Sequence, residues 1–223
     1  MNTLSDIVTT LFGENTQTVD IVILLTLLTL LPSILLMLTG FTRILIVLSF
    51  VRNSLGMQQT PPNQVLIGLA LFLTFFVMQP ALSQIYDNAY TPFVAGEIAQ
   101  DEFIDRTMGP AREFMLVQVF DEDLEFFIGL SGRDDVDAND EDTIPNGVLI
   151  PAFLTSEIKH AFWIGFVIYI PFIVIDMIVA STLMAMGMMM LPPAMISLPF
   201  KVLLFVLVDG WQLIIGTLIT TFH

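Results

Sequence analysis

The stretch MAMGMMMLPPAMISLPFK, Met184 to Lys201, decides how this chain reads. Six of its thirteen methionines fall between Met184 and Met195; Met188, Met189 and Met190 are consecutive, and Leu191, Pro192 and Pro193 follow directly. Methionine is unbranched and apolar with three rotatable bonds, so a cluster of it makes a soft surface that fills a gap of changing shape. Two adjacent prolines forbid a helix from running on. Apolar segments flank the run on both sides, from Ala161 to about Met186 and from about Pro199 to Thr220. The cluster is therefore expected on a loop or broken helix between two apolar arms. There it forms a deformable plug inside a membrane assembly, and Pro192 and Pro193 fix where the loop breaks. The plainer alternative is that these methionines simply fill a membrane core.

Composition supports the membrane setting. With 55% hydrophobic residues and a mean hydropathy of +0.83 over 223 residues, the chain is too apolar for an ordinary soluble domain. The net charge of −15 is concentrated in one place. Residues 81 to 157 hold seventeen Asp or Glu against three Arg, a net of −14, which leaves about −1 for everything else. There is no cysteine, hence no disulfide framework and no thiolate metal site. The first twenty residues lack the basic start, short apolar core and cleavage site of a signal peptide.

Four apolar stretches stand out against the roughly 20 residues a helix needs to span a bilayer. They run from Ile21 to about Val51, Val65 to about Met78, Ala161 to about Met186 and Pro199 to Thr220, and they pair as two hairpins. The first would measure about 46 Å as one helix, against a hydrocarbon core of about 30 Å, so it must kink, tilt or leave the membrane. Pro32 lies inside it and Pro171 inside the third stretch. The second is short for a span. The expected fold is an all-α membrane protein: an N-terminal extracytoplasmic segment (1–20), a first helical hairpin (21–79), an acidic and mostly helical insertion (80–157) and a second hairpin (158–223) carrying the methionine loop 184–195. Within the insertion, Phe114, Val117, Phe120, Leu124 and Phe127 recur at near-helical spacing and predict an amphipathic helix. The acidic run from Gly129 to Gly147 reads as a solvated loop, without the spacing of a calcium-binding EF-hand.

Arg52 and Lys201 flank the two short connections, whereas the insertion is acidic, which puts the short loops in the cytoplasm and the insertion and both termini outside. Charged groups within apolar stretches are costly and are functional candidates by default. They are Arg43, Asp176, Lys201 and Asp209. Asp176 and Lys201 lie on opposite arms of the methionine hairpin and are expected to pair, closing it on itself or clamping it to a neighbouring subunit; the alternative for Lys201 is to snorkel to the interface. Glu157 and His160 form one Glu-x-x-His step, but a di-iron site needs two such steps and further glutamates, so no metal is expected. The motifs of metalloproteases, serine hydrolases and phosphate-binding loops are missing, as are basic patches for nucleic acid, so neither an enzyme nor a cofactor is expected.

Four blocks carry a family resemblance: SFVRNSLGMQQTPPNQVLIGLALFLTFFVM (Ser49 to Met78), RTMGPAREFM (Arg106 to Met115), IPAFLTSEIKHAF (Ile150 to Phe162) and MGMMMLPPAMISLPFKVLLFVLVDGWQLIIGTL (Met186 to Leu218). Over roughly residues 40 to 222 the chain resembles the FliP/SctR family of type III secretion export-gate proteins, in its flagellar branch. The resemblance implies a subunit that conducts unfolded flagellar proteins across the bacterial inner membrane within the flagellar basal body. Five copies would assemble with FliQ and FliR into a closed helical cone, among further export-apparatus membrane proteins. It implies that Met188, Met189 and Met190 form a gasket in the channel, that Asp176 and Lys201 serve subunit contacts, and that Glu157 serves assembly. Family members usually carry a cleavable signal peptide, so the chain looks like a mature form. The competing readings are a multi-pass ion-coupled secondary transporter with Asp176 and Asp209 as ion carriers, and a passive scaffold.

Overall fold

The computed structural model describes residues 18–133, 135–138, 140–188 and 190–222. Residues 1–17 of the N-terminal segment, Asp134 of the acidic run and Met189 of the methionine run lie outside the described residues. Those described form an all-helical fold with no strand among them.

Helix α1 (Thr18–Leu38) carries Pro32 without interruption. The overlong first stretch breaks instead at Thr39 and Gly40, where its last turns meet α2 (Phe41–Ser54) at 86°. The break has a packing cause. The Phe222 ring lies against Gly40 so closely that a Cβ there would sit 2.4 Å from it. The Thr39 hydroxyl accepts from the Phe41 N–H at 3.4 Å, and that of Thr42 donates to the Leu36 carbonyl at 3.1 Å.

Helix α2 is the centre of the molecule. It buries Ile44, Val47, Leu48 and Val51, at helical spacing, between α3 (Asn63–Val77) and the 40-residue α8 (Asn146–Ala185). From α3 come Leu66, Ala70, Leu73 and Val77; from α8, Ala161. Gly165 lets α8 approach α2 closely, since a Cβ there would lie 2.5 Å from the Phe50 ring.

Beyond Met78 the chain bends by 61° into α4 (Gln79–Ile85), a π-helical turn (Tyr86–Tyr90) and α5 (Thr91–Val94), then α6 (Gln100–Gln118) and α7 (Asp121–Ser131). The spacing of Phe114, Val117, Phe120, Leu124 and Phe127 predicted one helix where there are two. Val119 and Phe120 are extended, and Val117 faces outward. The Phe120 N–H donates to the Ser156 hydroxyl at 3.0 Å, which holds the chain at this corner. Met115, Leu124, Ile144, Val148, Leu149, Ala152 and Phe153 form a second core against the first turns of α8. Phe114 packs on both cores.

The acidic run is more ordered at its ends than a solvated loop would be. It begins inside α7, which stops at left-handed Gly132 (φ 62°), and passes through a 3-10 turn (Glu141–Thr143) into α8. Arg112 anchors that turn, donating to the carbonyls of Glu141 and Ile144 at 2.9 Å each and to the Asn146 side chain.

Helix α8 runs through Pro151 and Pro171 unbroken and is about 60 Å long. Helix α9 (Pro193–Leu207) folds back on it, and after Val208 and Asp209 the chain turns by 65° into α10 (Gly210–Thr220). Asp209 has φ 51°, a left-handed conformation uncommon for a side-chain-bearing residue. Among the described residues, α8 is the one helix long and apolar enough to cross a membrane, and up to four spans result if each bent pair counts as one.

Because the α2–α8 seam depends on Gly165, a Gly165→Leu substitution should overpack it and destabilise the protein by about 1 to 3 kcal/mol. Phe50→Ala added to it should return part of the loss. Thermal unfolding of wild type, Gly165→Leu and the double variant in detergent checks this; equal unfolding of wild type and Gly165→Leu would show that the seam has slack.

Candidate functional site

Three polar clusters lie along α8. The deepest is centred on Arg43, which projects from α2 and is completely buried, as is Glu157 on α8. Arg43 meets the carboxylate side-on, Nε to Oε2 at 3.1 Å and Nη2 to Oε1. Its remaining donors go to the Gln118 side-chain oxygen at 3.0 Å and to the Thr221 carbonyl and hydroxyl at 3.0 and 3.2 Å. Gln118 in turn donates to the Phe222 carbonyl at 3.1 Å, and the Phe222 ring lies 4.1 Å from the guanidinium carbon. The end of α6, the body of α8 and the segment after α10 thus converge on one residue of α2.

The second cluster adjoins the first, on residues that flank Glu157 in α8. Asp123 of α7 is buried; it accepts from the Ser156 hydroxyl at 2.7 Å and from the half-exposed Lys159 ammonium. His160 stacks on Phe120 with ring centroids 4.1 Å apart. Glu157 and His160, neighbours in sequence terms, therefore have different partners.

The third cluster lies between α8 and α9. The Lys201 ammonium donates to Asp176 Oδ2 and the Ser197 hydroxyl to Oδ1, both at 2.6 Å. Lys201 and Ser197 are buried, while the Asp176 side chain is 38% exposed. Lys201 does not snorkel outward; it reaches inward along α9, and Asp176 is the member left with an open side. Asp209 is exposed at the α9–α10 bend.

At the far end of α8 is the methionine loop. Its helix stops at Gly187, not at the prolines: Gly187 has φ 75°, its N–H donates to the Met184 carbonyl and that of Met188 to the Leu183 carbonyl, each at 3.0 Å. Pro192 and Pro193 instead begin α9, Pro192 capping it and Pro193 filling its first turn. Met184, Met186, Met188 and Met195 are exposed, and Met190 is 97% exposed. Beside the loop an apolar groove of about 420 Å³ runs between α8 and α9, lined by residues including Ile178, Leu183, Met186 and Phe200.

The sequence did not single out Gln118, Thr221, Asp123, Ser156 or Ser197. Ser197 had a signal, since it lies four residues before Lys201 on one helical face. Gln118 and Thr221 had none, because their partners are 75 and 178 residues away.

This combination, an all-helical apolar chain with broken spans and charge buried in its interior, defines a membrane protein whose bare apolar flanks are covered by lipid or by other protein. A family model for the FliP family matches residues 24–218. The flagellar biosynthetic protein FliP of Bacillus subtilis (strain 168) is 52% identical over 223 residues, covering all of both chains. That of Pectobacterium carotovorum subsp. carotovorum is 55% identical over 208 residues, covering 93% of this chain and 80% of the relative. That of Aquifex aeolicus (strain VF5) is 45% identical over 211 residues, 95% and 88% of the respective chains. The chain belongs to the FliP family.

Removing one partner of a buried ion pair leaves the other charged and unpaired, at about 3 to 5 kcal/mol, whereas replacing both with apolar groups costs far less. Glu157→Leu and Arg43→Met should therefore each abolish stable accumulation in membranes, and the double variant should recover much of it. Immunoblotting of membrane fractions reads this out. A double variant as poor as the singles would mean that the pair is needed for more than charge balance.

Proposed function

We propose that this chain is a core, pore-forming subunit of the flagellar type III protein export gate, conducting unfolded flagellar proteins across the inner membrane. The observation that carries the reading is the methionine loop: flexible apolar side chains held bare on a backbone fastened at both ends by Gly187 and by Pro192 and Pro193. An unfolded chain in transit presents side chains of every shape, and the same pore must hold ions back when empty. A ring built from Met188, Met189 and Met190 of several copies would dewet and close, then re-pack around its cargo. Stiff β-branched residues would seal without accommodating.

The proposed assembly is a homo-oligomer of five copies with FliQ and FliR, seated with the acidic insertion and both termini on the periplasmic side and the methionine loop toward the cytoplasm. The long bare flanks of α8, with Phe162, Trp163, Phe166 and Ile170 outward, supply apolar surface for such neighbours. Asp176, held on one side by Lys201 and Ser197 and open on the other, suits a contact across subunits. Glu157 has no open side, so its part in assembly is to shape the subunit through Arg43. The relatives' shared description is biosynthetic, for the flagellum, and names no catalysed reaction. The family assignment lends no support to a secondary transporter.

Replacing Met188, Met189 and Met190 together with Ala should raise proton leak across the inner membrane while export continues, measured with a pH-sensitive dye and by assaying secreted flagellar protein. Unchanged leak counts against the seal. Asp176→Ala should weaken oligomer formation on native gels, and exchanging Asp176 with Lys201 should restore part of it; no gain over the single changes would argue that the two residues act separately.

A further inference from the structure

We propose that the methionine loop is also a site of reversible oxidation, which makes the seal sensitive to hydroperoxides; this rests on the reading of the loop as a seal. The chain has no cysteine, so thioether sulfur is the only sulfur it offers an oxidant. Its methionines differ sharply in access. Met78 and Met115 are buried, whereas Met184, Met186, Met188, Met190 and Met195 are exposed at or beside the loop. Met37 and Met177 are also bare, but they lie in the apolar bodies of α1 and α8, where lipid or a neighbouring subunit covers them in the membrane. A channel-facing loop remains within reach of small polar oxidants.

The chemistry is a two-electron oxygen transfer. The thioether lone pair attacks the terminal oxygen of the hydroperoxide, an S–O bond forms as the O–O bond breaks, and the departing hydroxide or alkoxide takes up the proton of the transferred hydroxyl to leave as water or alcohol. Sulfur is oxidised and the peroxide reduced. The product sulfoxide is polar and accepts hydrogen bonds, and thiol-linked reductases return it to the thioether. The backbone bonds that end α8 at Gly187 and the caps that begin α9 involve no sulfur. Oxidation therefore changes the wetting of the loop while leaving its position fixed. A constriction that closes by dewetting is opened to ions by such a change.

The test uses membranes containing the assembled complex, treated with graded hydrogen peroxide, with sulfoxides mapped by peptide mass spectrometry and proton leak followed in parallel. The expected result is sulfoxide at Met188, Met190 and Met195 well before Met78 and Met115, together with a several-fold rise in leak. That rise should disappear when residues 188 to 190 are all Leu, and reduction by a methionine sulfoxide reductase should reverse it. Oxidation of Met78 and Met115 as fast as the loop overturns the assignment of the site. A fully oxidised loop with no added leak, in membranes where the triple Ala variant does leak, overturns the redox proposal and leaves the seal standing. A triple Ala variant that does not leak removes the seal and this proposal together.

Discussion

A guanidinium carries five N–H donors in a fixed plane and does not give up its charge, so one that is buried completely needs every donor answered. Arg43 meets that demand by drawing on Glu157, Gln118 and Thr221. The consequence is architectural. Apolar contacts also join the insertion, α2, α8 and the segment after α10, through Phe114 and Phe222, but these bonds add direction to the junction. Apolar packing alone would let α6 slide against α2 at little cost; the hydrogen bonds to Gln118 fix its register. The same set explains the sharp turn at Gly40, where the Phe222 ring covers the guanidinium and leaves no room for a Cβ.

Sequence reading reached the helical class, the apolar stretches and the charged residues within them, because composition and period are local properties. It placed Asp176 and Lys201 on facing arms of a hairpin, where they lie 2.6 Å apart, since a tight turn makes residues at matched distances from it neighbours. It could not see that Arg43 and Glu157 are partners. They are separated by 114 residues, and nothing in either segment announces the other. The place where the first stretch breaks was illegible for the same reason. Pro32 is the residue that sequence rules mark, yet its freed carbonyl is tolerated in a continuous helix, whereas Gly40 yields to a ring supplied from 182 positions further on.

The methionine loop shows a finer division of labour. Prolines are strong punctuation, but the apolar stretch before them ends at about Met186, and the helix ends with it. It ends there because a left-handed glycine followed by a residue whose N–H can reach back closes the last turn better than any clash. With the stop assigned to Gly187 and the restart to Pro192 and Pro193, four residues lie between two fixed points. The side chains of Met188, Met190 and Leu191 are exposed while the segment is tethered at both ends, a combination that neither a glycine-rich linker nor a continuous helix provides.

Non-helical backbone at membrane depth is tolerated only where protein or water answers its polar groups. Three bends interrupt the apolar stretches here, and they are not equally protected. Gly40 is buried beneath Phe222, and Met78 is buried against the insertion. The bend at Val208 and Asp209 is different: both residues are exposed, and Asp209 brings a carboxylate into the same place. The Phe205 ring packs against Gly210 and Trp211 on one side of it. The Val208 and Asp209 N–H groups are answered within the chain, but lipid cannot cover that corner without leaving the carboxylate unsolvated. Such a bend is better suited to water or to another polypeptide than to lipid.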